Sequence, residues 1–397
     1  MILSMLLALP MLAQCAPAEA PPDLGNHYPF LRELSGQCAF ALSHLNGDWK
    51  DTEEWRRLGR DKMRELLRYD PAPAPLAPEV LESARMDGYT RHLVRYQVAA
   101  DRRTEAYLLV PDNLSGPAPA VMMLHCHSGE YWFGKEKVTS IGNPPPVLRE
   151  LWENNYGGRP PADALARRGY VVLAPDAFYF GSQRLDPALM PENAAPELKG
   201  LEPGTDGYIR AFDRIASRSE QLMAKTLFLA GATWPGVLFQ GDRAGLDYLL
   251  TRPEVDGGRV GCAGLSIGGF RSAHLFGLDG RIAAAVVAGW MTTYPSLLRN
   301  HVLNHTWMIY VPGQCAWLDL PDAASLNAPG PLMVVNCAKD TLFTMEGMRA
   351  AGEKLAAVYG KMGAADRFDC RFYDEPHSFK VPAQEDAFAW LDRWLRK

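Results

Sequence analysis

Residues Gly264-Leu265-Ser266-Ile267-Gly268-Gly269 directly follow the apolar run Val260-Gly261-Cys262-Ala263. This is the pattern of a strand that ends in a sharp turn bearing a serine and continues as a helix. Such a turn presents the serine oxygen for attack on a carbonyl carbon. Small residues two before and two after the serine let the turn close without a side-chain clash. Ile267 opens the helix, so its backbone N–H is available to a developing oxyanion. A serine hydroxyl is a weak nucleophile until a base takes its proton, and the base needs an orienting acid. For a serine on an elbow, the order along the chain is serine, acid, histidine.

His377, in Tyr373-Asp374-Glu375-Pro376-His377-Ser378, follows the last apolar β-like run and is the expected base. His274 falls within the helix after the elbow, and His301 and His305 lie upstream of the acid. The expected acid is Asp340, a few residues beyond Val334-Val335-Asn336-Cys337. Asp374 and Glu375 are alternatives that adjoin His377 and need an awkward turn. The second oxyanion donor is expected in the loop Leu124-His125-Cys126-His127-Ser128-Gly129, at the backbone N–H of His127. The side chain of His125 reads as shaping that loop. A His-x-His pair can bind metal, but the spacing offers no third ligand, so neither a metal nor another cofactor is expected. Cys126 lacks an elbow and is the weaker nucleophile.

These groups need a scaffold, and the chain supplies one by alternation. Thr90–Ala99 and Thr104–Val110 read as a hairpin. Strands are then expected at Ala120–Leu124, Tyr170–Ala174, Val260–Leu265, Ile282–Ala288, Leu332–Cys337 and Phe368–Tyr373. Helices are expected at Pro161–Arg168, Gly236–Thr251, after Ser266, at Glu346–Met362 and at Ala383–Arg396. Short apolar strands alternating with amphipathic helices imply a mostly parallel sheet with helices on both faces, the α/β-hydrolase plan. The expected organisation is a leader at 1–20, a helical extension at 21–75 and a catalytic domain at 76–397. That domain carries insertions near 176–235 and 290–329. Tyr28–Arg68 reads helical, with Asp51 and Glu54 as a capping pair, and the prolines at 71, 73, 75 and 78 mark a linker.

A net charge of −5 and the absence of any basic run argue against nucleic acid as a partner. Ile2–Ala13 has the length of a signal-peptide core and is too short to span a bilayer, so no stable membrane span is expected there. No Lys or Arg precedes Arg32, and Leu12-Ala13-Gln14-Cys15 only partly matches a lipoprotein box. Export is the expectation, with a lipid anchor and a plain extension as alternatives. None of the seven cysteines forms C-x-x-C, and Cys38 with Cys315 is a disulfide candidate if the protein is exported.

Several segments together resemble one branch of the α/β-hydrolases. They are His125-Cys126-His127-Ser128-Gly129, Gly134-Lys135-Glu136-Lys137, Pro175-Asp176-Ala177 with Gly181 and Arg184, and the run from Asp242 through Arg252-Pro253-Glu254-Val255-Asp256 to the elbow. They are similar to the acetyl xylan esterase-like, dienelactone hydrolase-related enzymes, from about residue 50 onward. The resemblance implies serine ester hydrolysis with Ser266, Asp340 and His377 as triad and a small-molecule or carbohydrate ester as substrate. Two features depart from that branch: the loop reads His-Cys-His where His-Gly-x is commoner, and dienelactone hydrolases proper use a cysteine nucleophile. Trp290, Trp307 and Trp317, with Tyr294 and Tyr310, could stack on sugar rings or form the second insertion's own core. The rival readings are a peptidase of the prolyl-oligopeptidase type and an inactive binding protein on the same fold.

Overall fold

The computed structural model describes residues 21–191 and 193–396; the leader expected at 1–20 lies outside them. Among the described residues, nine strands form one sheet: β1 (Glu79–Arg85), β2 (Tyr89–Ala99), β3 (Arg102–Pro111), β4 (Ala118–Leu124), β5 (Val171–Pro175), β6 (Val255–Leu265), β7 (Ala284–Ala288), β8 (Leu332–Cys337) and β9 (Phe368–Tyr373). Their spatial order is β1-β2-β3-β5-β4-β6-β7-β8-β9. The edge β1-β2-β3 is antiparallel and meets β5 antiparallel, whereas β5 through β9 run parallel.

The parallel strands are apolar throughout because both faces are covered. In β4, Ala120, Met122 and Leu124 enter one core, and Val121 and Met123 enter the other. That is the period-two alternation of a strand. In chain order the helices are α1 (Tyr28–Gly36), α2 (Thr52–Leu67), α3 (Pro146–Tyr156), α4 (Pro161–Arg167), α5 (Asp206–Leu229), α6 (Trp234–Leu250), α7 (Ile267–Leu278), α8 (Tyr294–Leu297), α9 (Leu320–Ser325), α10 (Met345–Lys361) and α11 (Val381–Leu395). Side chains of α2, α6, α7, α9 and α10 fill the first core, and those of α3, α4 and α11 fill the second. This is the α/β-hydrolase architecture.

Two expectations about the N-terminal part need correction. The sheet begins at Glu79, directly after the prolines, about ten residues ahead of the first expected strand at Thr90. β1 is an edge strand with almost every side chain exposed, so it shows no apolar alternation to read. The helical run expected over Tyr28–Arg68 is two helices, interrupted between Gly36 and Thr52. The interruption has a physical cause. The amides of Phe40, Ala41 and Leu42 donate to the carbonyls of Cys315, Ala316 and Trp317, and Cys38 is disulfide-bonded to Cys315. Chain committed to those partners cannot also close helical turns.

The extension is built into the main core. Asp51 caps α2 by accepting from the amides of Glu53 and Glu54. Trp55, Met63 and Leu67 then bury against the sheet-covering helices. On the other flank of α2, Arg60 Nε donates to the Gly277 carbonyl at 2.8 Å and Arg64 Nη2 to the Leu278 carbonyl at 3.2 Å. These carbonyls end α7, so two guanidinium groups satisfy the orphan acceptors at that helix's negative pole. Trp55→Ala should therefore cost about 3–5 kcal/mol, the range for emptying a buried aromatic site. Chemical denaturation should show one cooperative transition shifted to lower denaturant. A separate early transition, with the main one unmoved, would make the extension an independent unit.

Candidate active site

Ser266 sits between β6 and α7 with φ 61 and ψ −121. That region is sparsely populated for a residue with a Cβ and costs on the order of 1–3 kcal/mol. The neighbours pack so that the turn has no other way to close. A Cβ on Gly268 would lie 2.0 Å from the Leu124 carbonyl oxygen, and one on Gly264 would lie 2.4 Å from the Gly268 carbonyl. The Ser266 amide donates to Ala288 O at 2.9 Å, and its carbonyl accepts from the Phe270 amide at 2.9 Å. Every residue of α7 is buried.

β8 and β9 are parallel neighbours, with Cys337 opposite Tyr373. Their pairing continues past the strands through Ala338 N to Tyr373 O at 2.7 Å and Lys339 N to Glu375 O at 3.0 Å. The two loops therefore leave the sheet side by side, and His377 Nδ1 meets Asp340 Oδ2 at 2.6 Å. The other carboxylate oxygen of Asp340 accepts the Leu342 amide at 2.9 Å. His377 Nε2 is buried and has no hydrogen-bond partner among the described residues. Gly289 passes beneath the ring, where a Cβ would come within 3.0 Å of Cε1. Asp374 and Glu375 turn elsewhere: Asp374 pairs with Lys339 at 2.9 Å and Glu375 with Lys380 at 2.8 Å.

Ser266, Ile267 and His377 open into one cleft of about 920 Å³. The two insertions supply its walls. Ser217, Arg218, Glu220 and Gln221 come from α5, and Val302 to Tyr310 come from the second insertion. The loop after β4 forms the third side. Both nitrogens of each of its histidine rings are engaged. His125 Nδ1–H donates to Cys126 O at 2.9 Å, and Nε2 accepts the Ala177 amide at 3.1 Å. His127 Nδ1 accepts the Gly129 amide at 3.0 Å, which fixes Nε2 as the donor to Glu220 Oε1 at 2.8 Å. Cys126 is buried, with its thiol 2.8 Å from Ser128 Oγ.

Glu220 was not singled out from sequence. It takes hydrogen bonds from His127, from Tyr131 Oη at 2.8 Å and from Thr306 Oγ1 at 2.9 Å, so it ties the β4 loop to both insertions. Burial works to raise its carboxyl, but these donors outweigh burial and hold it below the usual range. A signal did exist. Ile209, Phe212, Ala216, Glu220 and Ala224 share the buried face of α5, so a carboxylate occupies an apolar stripe. His305 also reaches the cleft, its ring tilted against Phe343 with centroids 4.9 Å apart. Burial lowers its pKa to about 4, so it is neutral at pH 7.

The three tryptophans separate. Trp307 lines the cleft and is 41% exposed. Trp290 lines it too, but is largely buried, edge-on to Phe270 at 5.0 Å and to Phe343 at 5.9 Å. Trp317 is a correction: it lies outside the cleft, with Lys62 Nζ 4.3 Å over its ring and its carbonyl bonded to Leu42 N. The adjacent disulfide and backbone pairing hold it against the N-terminal extension. Tyr294 is half-buried and packs on the core outside the cleft, whereas Tyr310 lines it.

The chain matches the Dienelactone hydrolase family over residues 147–396. It is 25% identical over 339 residues to the Bacillus subtilis (strain 168) protein named "Putative hydrolase YtaP", covering 85% of this chain and 98% of that protein. Among solved structures it is similar to a "putative acetyl xylan esterase" from Bacteroides fragilis NCTC 9343, with TM-score 0.68, 17% identity, and 88% of this chain and 82% of that chain covered. It is also similar to a glucuronoyl esterase from Solibacter usitatus, with TM-score 0.59, 15% identity, and 89% and 96% covered. At these identities the structural likeness carries the fold.

One titration beside the cleft yields a prediction. Glu130 faces Asp213 of α5, whose Oδ1 accepts the Tyr131 and Trp132 amides at 2.7 and 2.9 Å. Burial, then the hydrogen bond and charge of Asp213, raise Glu130 from 4.5 to about 8. The folded chain thus holds a proton at neutral pH that the unfolded chain releases. The stabilisation is complete below about pH 4.5 and fades as pH rises towards about 8. Glu130→Gln keeps an amide donor at every pH. Relative to the variant, the wild type should lose unfolding free energy across that window; parallel stability profiles would refute the shared proton.

Proposed function

The chain belongs to the dienelactone hydrolase family of ester-cleaving α/β-hydrolases, and from that premise we propose that it hydrolyses carboxylic esters through an acyl-enzyme on Ser266. The observation that carries this reading is the shared cleft. A serine held at φ 61 on a strand–helix elbow and a histidine bonded to a buried carboxylate open into the same space.

In the proposed reaction His377 Nε2 takes the proton of Ser266 Oγ as that oxygen bonds to the acyl carbon. The carbonyl π electrons move onto its oxygen, which the amides of Ile267 and His127 receive. Ile267 is the first residue of α7, so its N–H has no acceptor within the helix. Collapse expels the alcohol oxygen, which takes the proton from His377. Water then gives a proton to His377 and attacks the acyl-serine. The second collapse returns that proton to Ser266 and frees the carboxylic acid. Asp340 accepts from His377 Nδ1 throughout, holding the tautomer and offsetting the charge of the imidazolium. No cofactor enters this scheme.

We further propose a carbohydrate ester as substrate. Support comes from the names of the structural neighbours and from a cleft whose one wall is polar and whose other wall is aromatic. An oxidising compartment fits the Cys38–Cys315 disulfide, which supports export. The family match and the esterase names of the structural neighbours favour an ester over a peptide amide as the scissile bond.

Ser266→Ala and His377→Ala should each lower kcat by roughly 10⁴-fold or more, and Asp340→Asn should have a comparable effect by losing the tautomer, with thermal stability near wild type. A phosphonate ester probe followed by peptide mass spectrometry should label Ser266; label on Cys126 would move the nucleophile. For the substrate, Trp307→Ala should raise KM for an acetylated oligosaccharide roughly three- to tenfold, the scale of one aromatic contact, while sparing an aryl acetate. Equal losses on both substrates with a lowered Tm would return Trp307 to a packing role. Cleavage of peptide amides but not esters would end the esterase reading.

A further inference from the structure

Lys137 is a buried cation that the scheme above leaves without a task. Its side chain is fully enclosed. Its Nζ donates to Cys126 O at 3.0 Å and to His127 O at 2.8 Å, and it lies 4.4 Å over the Phe180 ring. Among the described residues no carboxylate stands within ion-pair distance of it. Burying an ammonium without a counter-ion is expensive, and a methionine of similar length would fill the space without that cost. The two carbonyls it holds indicate what is gained.

In a trans peptide the C=O and N–H point in opposite directions. The Cys126 carbonyl shares its peptide with the His127 amide, and the His127 carbonyl shares its peptide with the Ser128 amide. Drawing both carbonyls back onto Lys137 therefore turns the amides of His127 and Ser128 away from it. Neither amide has an acceptor among the described residues, and both residues line the cleft with Ser266. Ser128 has φ 56, so the loop bends there through the left-handed region at some cost. Two further bonds secure the same bend: His125 Nδ1 also donates to Cys126 O, and the Glu130 amide reaches His127 O at 3.3 Å.

We infer that Lys137 is the positioning residue of the oxyanion site, orienting the His127 and Ser128 amides as paired donors beside that of Ile267. This rests on the serine-esterase reading. The ammonium also lies behind two aligned peptide dipoles, in a water-poor interior, with its charge directed along them towards the position of the developing oxyanion. Burial pulls the Lys137 ammonium below its usual range. Cys126, Glu130, Asp213 and Asp176 oppose that pull.

The test separates this role from simple packing. An oxyanion donor acts on the tetrahedral state and not on the bound ester. Lys137→Met should lower kcat for an aryl acetate by about 10²–10³-fold with KM little changed, the range for a lost oxyanion donor. Affinity for a boronic acid, which forms a tetrahedral adduct on the serine, should fall by a similar factor. Lys137→Gln, which keeps an amide donor for the carbonyls, should fold in any event and lose less. A kcat within threefold of wild type in the Gln and Met variants would overturn the inference, as would a rise in KM with unchanged boronate affinity. Phosphonate labelling of Ser266 in the unaltered protein is run alongside. If that protein is neither labelled nor active on esters, the parent reading fails; if it is both, only the role of Lys137 is at stake.

Discussion

A serine at φ 61 and ψ −121 does not hold itself there; everything around it must make the alternatives worse. The constraint is the close approach of the elbow to the end of β4, with the Leu124 carbonyl filling the space a side chain on Gly268 would need. That approach requires α7 to lie flush against the sheet, and α7 has no exposed residue. Its C-terminal carbonyls are held by Arg60 and Arg64 of the N-terminal extension, and its own Arg271 ties its middle to Asp242 of α6. The extension that precedes the sheet by sequence is thus one of the supports of the elbow, 200 residues further on.

The buried charges follow the same logic. Arg271 bonds Asp242 through Nε and Nη2, with Nη2 at 2.6 Å, and both side chains are almost wholly enclosed. Lys135 and Asp176 are similar, with Asp176 also accepting the Lys135 and Ser182 amides. Such pairs add little net stability, because desolvation consumes most of the Coulomb gain. They do fix geometry, since Arg271 or Asp242 without the other would be a buried orphan, and Asp176 without Lys135 would lose its cation. The first pair sets α6 against α7. The second fixes the β4 loop against the end of β5, on the side from which Lys137 reaches it.

How much of this could be read from sequence follows from how local each feature is. The elbow, the order of serine, acid and histidine, and the parallel core strands are encoded within a few residues of themselves, as fixed spacings or apolar runs. The strand limits expected for β8 and β9 coincide with those found. β1 was invisible because an exposed edge strand, Glu-Val-Leu-Glu-Ser-Ala-Arg, owes its existence to the backbone of β2 and not to its own pattern. Trp317 misled for a related reason: its place is decided by a disulfide and a backbone pairing whose other half lies 277 residues away. Lys137 and Glu220 are charged residues whose burial depends on partners supplied by distant segments, and residue type alone puts such groups on the surface.

Two of the histidines that line the cleft differ in a way that shows what the carboxylate contributes to the proposed chemistry. His305 and His377 both present a buried Nε2 with no hydrogen-bond partner among the described residues, and both lie against Phe343, at 4.9 and 6.4 Å. Enclosure is the main cause that brings His305 down to a pKa of about 4; a Leu342 backbone hydrogen bond and the charge of Asp340 oppose it without reversing it. A base with that affinity would be always free and too weak to draw a proton from a serine. His377 has a carboxylate in direct contact, the Asp340 oxygen at 2.6 Å from Nδ1. That contact comes from the register of two parallel strands, since Asp340 and His377 are each placed by the loop leaving β8 or β9. In the proposed mechanism the selection of one histidine over another is therefore made by sheet topology, before any substrate enters.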